Sequence, residues 1–317
     1  MLGKQVLIML AAGVAFSCSL NRLVMNKVAG VLTAPGGGTV FSGDNDPELV
    51  GDALPFAIKL YESLMDSAPW HVGLKLKTGS LYIMYANAFL QAPAVMLSDS
   101  EYRQQEFLYK RAKNLYLRGR DIILGALEQK HPGFRQALNA KQYDRALRSM
   151  TKADVELLYW AGAGWLGAFA IDPFDMKLGL SLPKAAALMD RVKQLDERFQ
   201  NGAIHDFYVL YYGSLPEYMG GDPQKARDHF QKAIAYSQGK SGSPFLSLAT
   251  TVSVKEQNLV EYKQLLNRVL DIDPDADPEN RLVNILNARK ARWLLEHTAD
   301  SFIEDDTPST NEAKENP

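Results

Sequence analysis

Apolar residues recur at intervals of three and four along most of the chain, the spacing that places them on one side of an α-helix. Alternating runs of β-branched residues bounded by turns, which would predict strands, are few. The pattern therefore predicts an all-α domain over residues 42–297.

Several segments have the chemistry of a helix boundary. In the segment from Ser42 to Glu48, Asp46 can cap a helix and Pro47 suits its first position. Gly221, Asp222 and Pro223 repeat the arrangement, and the Asp-Pro pairs at 273–274 and 277–278 predict the end of one helix and the start of the next. A further long helix is expected from Tyr102 to Gln129.

A triplet of small or aromatic residues at spacings of four and three recurs in four predicted helices, and a proline five residues later closes two of them. This arrangement is typical of the tetratricopeptide (TPR) repeat, a helical hairpin that buries its apolar stripe only against a neighbour. Single triplets also arise by chance in amphipathic helices, and these four show no constant period. The prediction is TPR-like hairpins stacked as an α-solenoid or superhelix, with inserted helices. The triplets are Ala57, Tyr61 and Leu64; Ala185, Met189 and Val192; Ala226, Phe230 and Ala233; and Tyr262, Leu266 and Val269.

The first 17 residues predict a signal peptide. Lys4 precedes a short apolar run that ends in small residues before Cys18, the single cysteine of the chain. This is the acceptor arrangement of bacterial lipoproteins, in which the thiol receives a diacylglycerol; acyl chains such as palmitate would tether the mature protein in the periplasm. Which membrane leaflet holds the anchor stays open, as do an ordinary signal peptide and a cytosolic protein with an apolar first helix.

The two ends of the mature chain have a different composition from the body. Residues 18–41 are expected to form a lipidated N-terminus and linker, because Thr33 to Gly38 cannot sustain a helix or a strand. Residues 298–317 carry six acidic residues against one lysine and few apolar residues, which predicts a disordered tail.

The composition excludes several function classes. A net charge of −2 provides no overall positive field for nucleic acid. The five histidines lie far apart, and an alternating acidic run at 271–279 lacks the glycine and the glutamate of a calcium loop. Phosphate-loop and nucleophile-elbow motifs are absent from the sequence. The chain is therefore expected to be a binding protein rather than an enzyme, without a cofactor or a metal.

Two stripes of large side chains are candidates for a ligand or partner groove, although core packing explains most such stripes. The segment from Tyr159 to Trp165 also contains Gly162 and Gly164, which predict either a close helix crossing or a cleft for an apolar ligand. The candidate groove residues are Tyr208, Tyr211, Leu215 and Tyr218 on one predicted helix, and Leu158, Trp165 and Phe169 on another.

The cysteine motif, the block from Asp44 to Leu64 and the TPR helices together resemble the TPR lipoproteins associated with TRAP (tripartite ATP-independent periplasmic) transporters, the TatT family. The most specific part is the block with Asp52, Ala53, Leu54 and Pro55 inside its helix. The resemblance implies a periplasmic homotrimer that binds the transporter's solute-binding protein and takes part in the uptake of an apolar or organic-acid ligand. The alternatives are a TPR lipoprotein scaffold for envelope or outer-membrane assembly and an envelope hydrolase.

Overall fold

The fold is all-helical. The structure, a computed structural model, describes residues 26, 27, 29–33 and 39–303, and this part of the chain contains no β-strand. The ten main helices are α1 (Pro47–Ser67), α2 (Val72–Tyr85), α3 (Tyr102–Lys130), α4 (Val155–Ile171), α5 (Met176–Asp196), α6 (Phe199–Ser214), α7 (Pro223–Ser237), α8 (Ser243–Leu248), α9 (Leu259–Leu270) and α10 (Arg281–Glu296). Short helices lie at Thr39–Ser42, Ala92–Val95, Phe134–Asn139 and Tyr143–Leu147, and π-helical turns at Ala86–Gln91 and Ala249–Ser253. Single 3-10 turns lie at Asp99–Glu101, Lys152–Asp154, Glu217–Met219, Pro274–Ala276, Pro278–Asn280 and Thr298–Asp300.

The predicted helix boundaries are confirmed where a capping residue marks them. The Asp46 side chain accepts a hydrogen bond from the Leu49 amide at 3.0 Å, and Asp222 accepts one from the Lys225 amide at 3.0 Å. Each cap satisfies a backbone N–H that has no partner within its own helix. The long helix expected from Tyr102 extends to Lys130.

The helices are arranged in two series that contact each other. Helices α2, α4, α6, α8 and α10 contact one another in that order, while α3, α5, α7 and α9 lie against them. The four triplets lie in α1, α5, α7 and α9, and the triplets of α5, α7 and α9 are fully buried, which is the packing role predicted for them. Stacking as a TPR superhelix stays a prediction.

The last helix returns to the first. Arg281 Nη1 donates a hydrogen bond to the Gly43 carbonyl at 2.9 Å, and Arg289 Nη2 donates one to Glu48 Oε2 at 3.1 Å. Leu282 is buried in one cluster with Val50 and other residues of α1 and α2. The contact of α10 with α1 therefore joins the last main helix to the first. We call α2, α4, α6, α8 and α10 the inner series and α3, α5, α7 and α9 the outer series.

Glycines set the distance between α2, α3 and α4. A Cβ atom at Gly119 would lie 2.5 Å from the carbonyl oxygen of Gly79, and one at Gly79 would lie 2.8 Å from that of Gly119. A Cβ atom at Gly164 would lie 3.1 Å from the Tyr116 carbonyl oxygen. The backbones of these helices are therefore closer than any side chain would permit.

The described residues of the predicted linker and tail contact the body, and the extent of the two segments stays a prediction. Ala29 is buried, and the Tyr61 hydroxyl donates to the Leu32 carbonyl at 2.9 Å. At the other end, the Phe302 ring lies 4.9 Å from that of Tyr262, because an apolar side chain in the tail finds an apolar partner. The predicted signal peptide, Cys18, residues 34–38 and residues 304–317 lie outside the described part. Among the described helices, none is long and apolar enough to cross a membrane.

Candidate functional site

The first predicted stripe belongs to the core. Leu158, Trp165 and Phe169 are buried, with exposed fractions of 5% or less. The Trp165 indole N–H donates to the Ser181 hydroxyl at 2.7 Å, so its polar atom is satisfied inside the protein. These three residues stabilise the contact of α4 with its neighbours. Their burial does not support the prediction that they line a groove.

Tyr208 of the second stripe is also a core residue. Its side chain is 1% exposed, and its hydroxyl donates to Asp190 Oδ1 of α5. Its ring centroid lies 4.6 Å from that of His229 on α7, while Tyr211 is half-buried beside it. Tyr208 therefore lies between α5, α6 and α7, on the side of α6 that faces the outer series.

The expectation that Tyr208, Tyr211, Leu215 and Tyr218 share one helix face is wrong for the last two. Helix α6 ends at Ser214, and Leu215 has an extended backbone conformation with a buried side chain. Tyr218 lies in the 3-10 turn that follows and is 88% exposed. The structure separates these two residues from the helix face that the spacing predicted.

The glycines of α4 serve close packing, the first of the two interpretations. A Cβ atom at Gly162 would lie 2.7 Å from Met189 Cε of α5. The Tyr159 ring packs at 5.6 Å from the Trp160 ring and at 5.2 Å from the Phe199 ring. The aromatic rings fill space around a helix that approaches its neighbours through glycine.

A different face of α6 is left open by its neighbours and carries an acid. Ala203, Asp206 and Leu210 follow one another at helical spacing and are only partly buried. Burial raises the pKa of Asp206 to about 6, and a hydrogen bond with Ser247 of α8 offsets only part of this rise. No partner for Asp206 Oδ1 is found within the described part of the chain. The pKa of Tyr159 on α4 is raised by burial and by the charge of Asp206, which places both groups near the contact of α4 with α6.

Lys290 brings a positive charge to the same inner series. It is half-buried on α10, and burial lowers the pKa of its ammonium group. Its neighbours one turn away, Leu286 and Trp293, are partly buried apolar side chains. No hydrogen bond or ion pair of Lys290 is found among residues 39–303. Tyr159 and Asp206 interact with each other, whereas Lys290 lies on a different helix of the series. We call Tyr159, Asp206 and Lys290 the inner polar groups; each could contribute a polar or ionic contact to an apolar molecule bound along this series.

Two histidines missed by the sequence analysis join α6 to α7. His205 Nδ1 and His229 Nδ1 are 2.8 Å apart, so one ring donates and the other accepts. Burial, together with the positive charges of Lys193 and Lys232, lowers the pKa of both rings to about 4. Glu197 opposes the shift at His205, and Asp228 opposes it at His229. The pair is therefore neutral at pH 7.

This pair predicts a loss of stability in weak acid. Because the folded pKa of about 4 lies below the ordinary value of 6.5, the unfolded chain binds more protons between these values, and stability falls as the pH drops through that window. The free energy of unfolding is measured by chemical denaturation at pH 7 and pH 5. Between these pH values, His229→Gln should lose less stability than wild type does, by on the order of 1–2 kcal/mol. Asp206, which titrates in the opposite sense, is present in both proteins and cancels. An unchanged difference between the two pH values would contradict the assignment.

Four exposed apolar residues lie on the α4–α5 turn, the first turns of α5 and the α6–α7 turn. Phe174 is 92% exposed, Met176 78%, Leu180 75% and Tyr218 88%. A Cβ atom at Gly179 would lie 3.6 Å from Met219 Cε, which brings the α6–α7 turn next to the start of α5. We call these four residues the apical patch. Apolar side chains clustered at this exposure are typical of interaction sites.

The turn that carries Phe174 is held in place by ion pairs. Lys113 Nζ donates to Asp172 Oδ2 at 2.8 Å and to Asp175 Oδ2 at 2.9 Å. These bonds fix both sides of Phe174 to α3. The apical patch is therefore presented on an ordered turn.

Comparison with known proteins gives two matches. A family model described as TRAP transporter T-component matches residues 43–302, which span all ten main helices. An uncharacterized protein of Treponema pallidum (strain Nichols) is 34% identical over 302 residues, covering 90% of this chain and 94% of the relative.

Proposed function

The chain belongs to the TRAP transporter T-component family, and we propose that it is a lipid-anchored periplasmic TPR protein that docks the solute-binding protein of a TRAP transporter. The match over residues 43–302 carries the proposal, because it covers the whole helical body. Members of this family are transporter components and in general not enzymes.

The proposed TPR architecture is supported by the alternation of the two series of helices. The buried triplets lie in α5, α7 and α9, each of which packs against a helix of the inner series. In a TPR hairpin the small residue lets the neighbouring helix approach closely while the larger residue fills the space one turn on. The inner series then forms the concave wall, with the contact between α10 and α1 closing it.

The apical patch is the proposed docking surface for the solute-binding protein. On α3, Lys113 contacts the turn of the patch, whereas Gln129 donates to the Trp70 carbonyl, and Trp70 in turn bonds to Asn26. The two contacts on α3 are about 24 Å apart at 1.5 Å per residue. Eight residues reach at most about 28 Å, so an anchor at Cys18 would keep the end near Asn26 close to the membrane and leave the patch free for a soluble partner.

A separate apolar stripe supports assembly into a homotrimer. Leu49, Phe56 and Leu60 lie on one face of α1 and are 58%, 74% and 44% exposed. Contacts between copies of the chain would remove this stripe from water. It is distinct from the apical patch, so docking and self-association can be tested separately.

The inner polar groups are the proposed binding residues for a small apolar or organic-acid ligand. Lys290 would pair with a carboxylate, since this half-buried residue has no counter-ion among the residues that the structure describes. Tyr159 and Trp160 would contact the apolar part of the ligand. Lys290→Met should therefore weaken binding of an organic acid more than tenfold in calorimetric titration; an unchanged affinity would remove Lys290 from the site.

The lipid anchor is tested by one substitution. In a bacterial host fed with radiolabelled palmitate, the wild-type chain should incorporate label and sediment with membranes. Cys18→Ser should do neither, because no other cysteine can accept the lipid. Equal labelling of the two proteins would contradict the anchor.

The docking partner is tested by affinity capture of the tagged, full-length chain from a detergent extract, with mass spectrometry of the retained proteins. A TRAP solute-binding protein should be recovered in stoichiometric amount. Recovery of envelope assembly proteins in its place would favour the scaffold alternative and contradict the proposed docking role.

A further inference from the structure

Two cations lie on one indole ring on the outer side of α4. The guanidinium carbon of Arg120 is 4.7 Å from the centroid of the Trp165 ring, and Lys184 Nζ is 5.9 Å from it. Arg120 belongs to α3 and Lys184 to α5, so three helices bring these groups together. The indole N–H bonds to Ser181, which fixes the orientation of the ring that both cations contact.

A third cation is close to this pair. Lys184 Nζ donates to Asn139 Oδ1 at 2.7 Å, at the end of the short helix Phe134–Asn139, and Lys141 follows two residues later. The pKa of the Lys184 ammonium is lowered by burial and by the positive charges of Arg120 and Lys141. Arg120 and Lys184 are half-buried, and Lys141 is exposed beside them. Like charges held together at a partly buried position destabilise the fold unless an anion joins them.

The described residues supply less negative than positive charge at this position. Asp121 is the one acidic partner of these three cations among the described residues; it contacts Arg120 at 2.8 Å, and its side chain is 57% exposed. The side chain of Arg120 is only 15% exposed, and Lys184 bonds to a neutral amide. Three positive charges thus face a single carboxylate, and a divalent anion would neutralise the two that remain.

We propose that Arg120, Lys141 and Lys184 form a binding site for a small phosphate-like dianion. Asp121 Oδ1 accepts from Arg120 Nε at 2.8 Å and lies 2.8 Å from Nη2, so the parallel N–H groups of Nη1 and Nη2 on the other side of the guanidinium are left for two oxygens of a tetrahedral oxyanion. The two ammonium groups add charge-assisted hydrogen bonds. The Trp165 ring and Asn139 position the cations. The site lies on the outer side of α4 and does not share residues with the inner polar groups, so it is independent of the proposed transport ligand.

The phosphate group could belong to the free anion or to a phosphorylated lipid headgroup, and the test separates these two sources. Calorimetric titration of the full-length chain with inorganic phosphate should give saturable binding, and Lys184→Met and Arg120→Gln should each weaken it at least tenfold. The matched control is Lys225→Met. Lys225 also lies over an aromatic ring, 5.4 Å from Tyr212, but it is paired with Asp222. This control should bind as wild type does.

A second arm uses sedimentation with vesicles of phosphatidylcholine containing phosphatidic acid. If only vesicles bind, and Lys184→Met abolishes that binding while Lys225→Met does not, the site takes a lipid headgroup. Thermal melts guard against misfolding: phosphate should raise the midpoint of wild type more than chloride of equal ionic strength does, and should not raise that of Lys184→Met. Absence of binding in both arms, or equal binding by wild type and Lys184→Met, would overturn the proposal.

Discussion

Gly119→Ala is expected to lower the free energy of unfolding by about 2 kcal/mol, because the added methyl group would overlap with neighbouring atoms. Its Cβ would lie 2.5 Å from the Gly79 carbonyl oxygen and 2.8 Å from Ile83 Cγ1. A backbone oxygen cannot rotate away as a side chain can, so α2 and α3 must separate. The loss should be measured by urea denaturation followed by circular dichroism.

Gly125→Ala is the matched control on the same helix. A Cβ atom there would meet only Arg135 Nη2, at an ordinary distance of 3.6 Å. Since alanine is favoured over glycine in a helix by about 1 kcal/mol, this variant should be slightly more stable than wild type. Equal effects of the two substitutions would mean that the crossing of α2 and α3 is not as close as described.

The double variant Phe174→Ser, Tyr218→Ser is expected to bind the solute-binding protein at least thirtyfold more weakly, corresponding to about 2 kcal/mol. Aromatic residues at the centre of an interface commonly contribute this much. Both side chains are almost fully exposed in the free protein, so the helical content and the unfolding midpoint should not change. The affinity is measured by calorimetric titration with the purified partner.

Phe56→Ser serves as its control, because Phe56 is 74% exposed on α1, outside the apical patch. It should leave the affinity for the solute-binding protein unchanged and lower the mass of the self-associated protein in light scattering. If Phe56→Ser weakens docking as much as the double variant does, the docking surface has been assigned to the wrong face.

The parts of the fold that could be predicted depend on neighbours in the sequence. Asp46 and Asp222 cap helices through an amide three residues away, and Pro47 and Pro223 reinforce the same boundaries. The triplets predicted buried positions because four-plus-three spacing selects one helix face, whichever helix covers it. The long helix that begins at Tyr102 was predicted for the same reason.

The prediction that the aromatic stripe lies on one open helix face failed for two physical reasons. Pro216 disfavours the helical conformation at the residue before it, so a helix end at Leu215 was already signalled in the sequence. For Tyr208, periodicity shows that it shares a face with Tyr211 but not which helix packs on that face. The contacts with Asp190 and His229 depend on tertiary structure.

Asp206 and Lys290 of the inner polar groups were missed because their environment is made by distant contacts. Arg281 and Gly43, whose hydrogen bond helps to join α10 to α1, are 238 positions apart in the chain. Nothing local distinguishes Lys290 from the basic residues Arg289 and Arg292 beside it. Likewise, the sequence shows Gly79 and Gly119 only as isolated residues that weaken a helix. Their role in close packing appears only once the two helices are in contact. The contact of Phe302 with Tyr262 was not predicted, because the acidic residues that follow Phe302 favoured disorder for the whole C-terminal segment.

The most direct test of the proposed function is the mass of the complex. Purified chain and purified TRAP solute-binding protein, mixed and separated by size-exclusion chromatography with light scattering, should elute together at the summed mass of the assembled chain and bound partner. Two separate peaks at the masses of the individual proteins, at concentrations well above micromolar, would contradict docking.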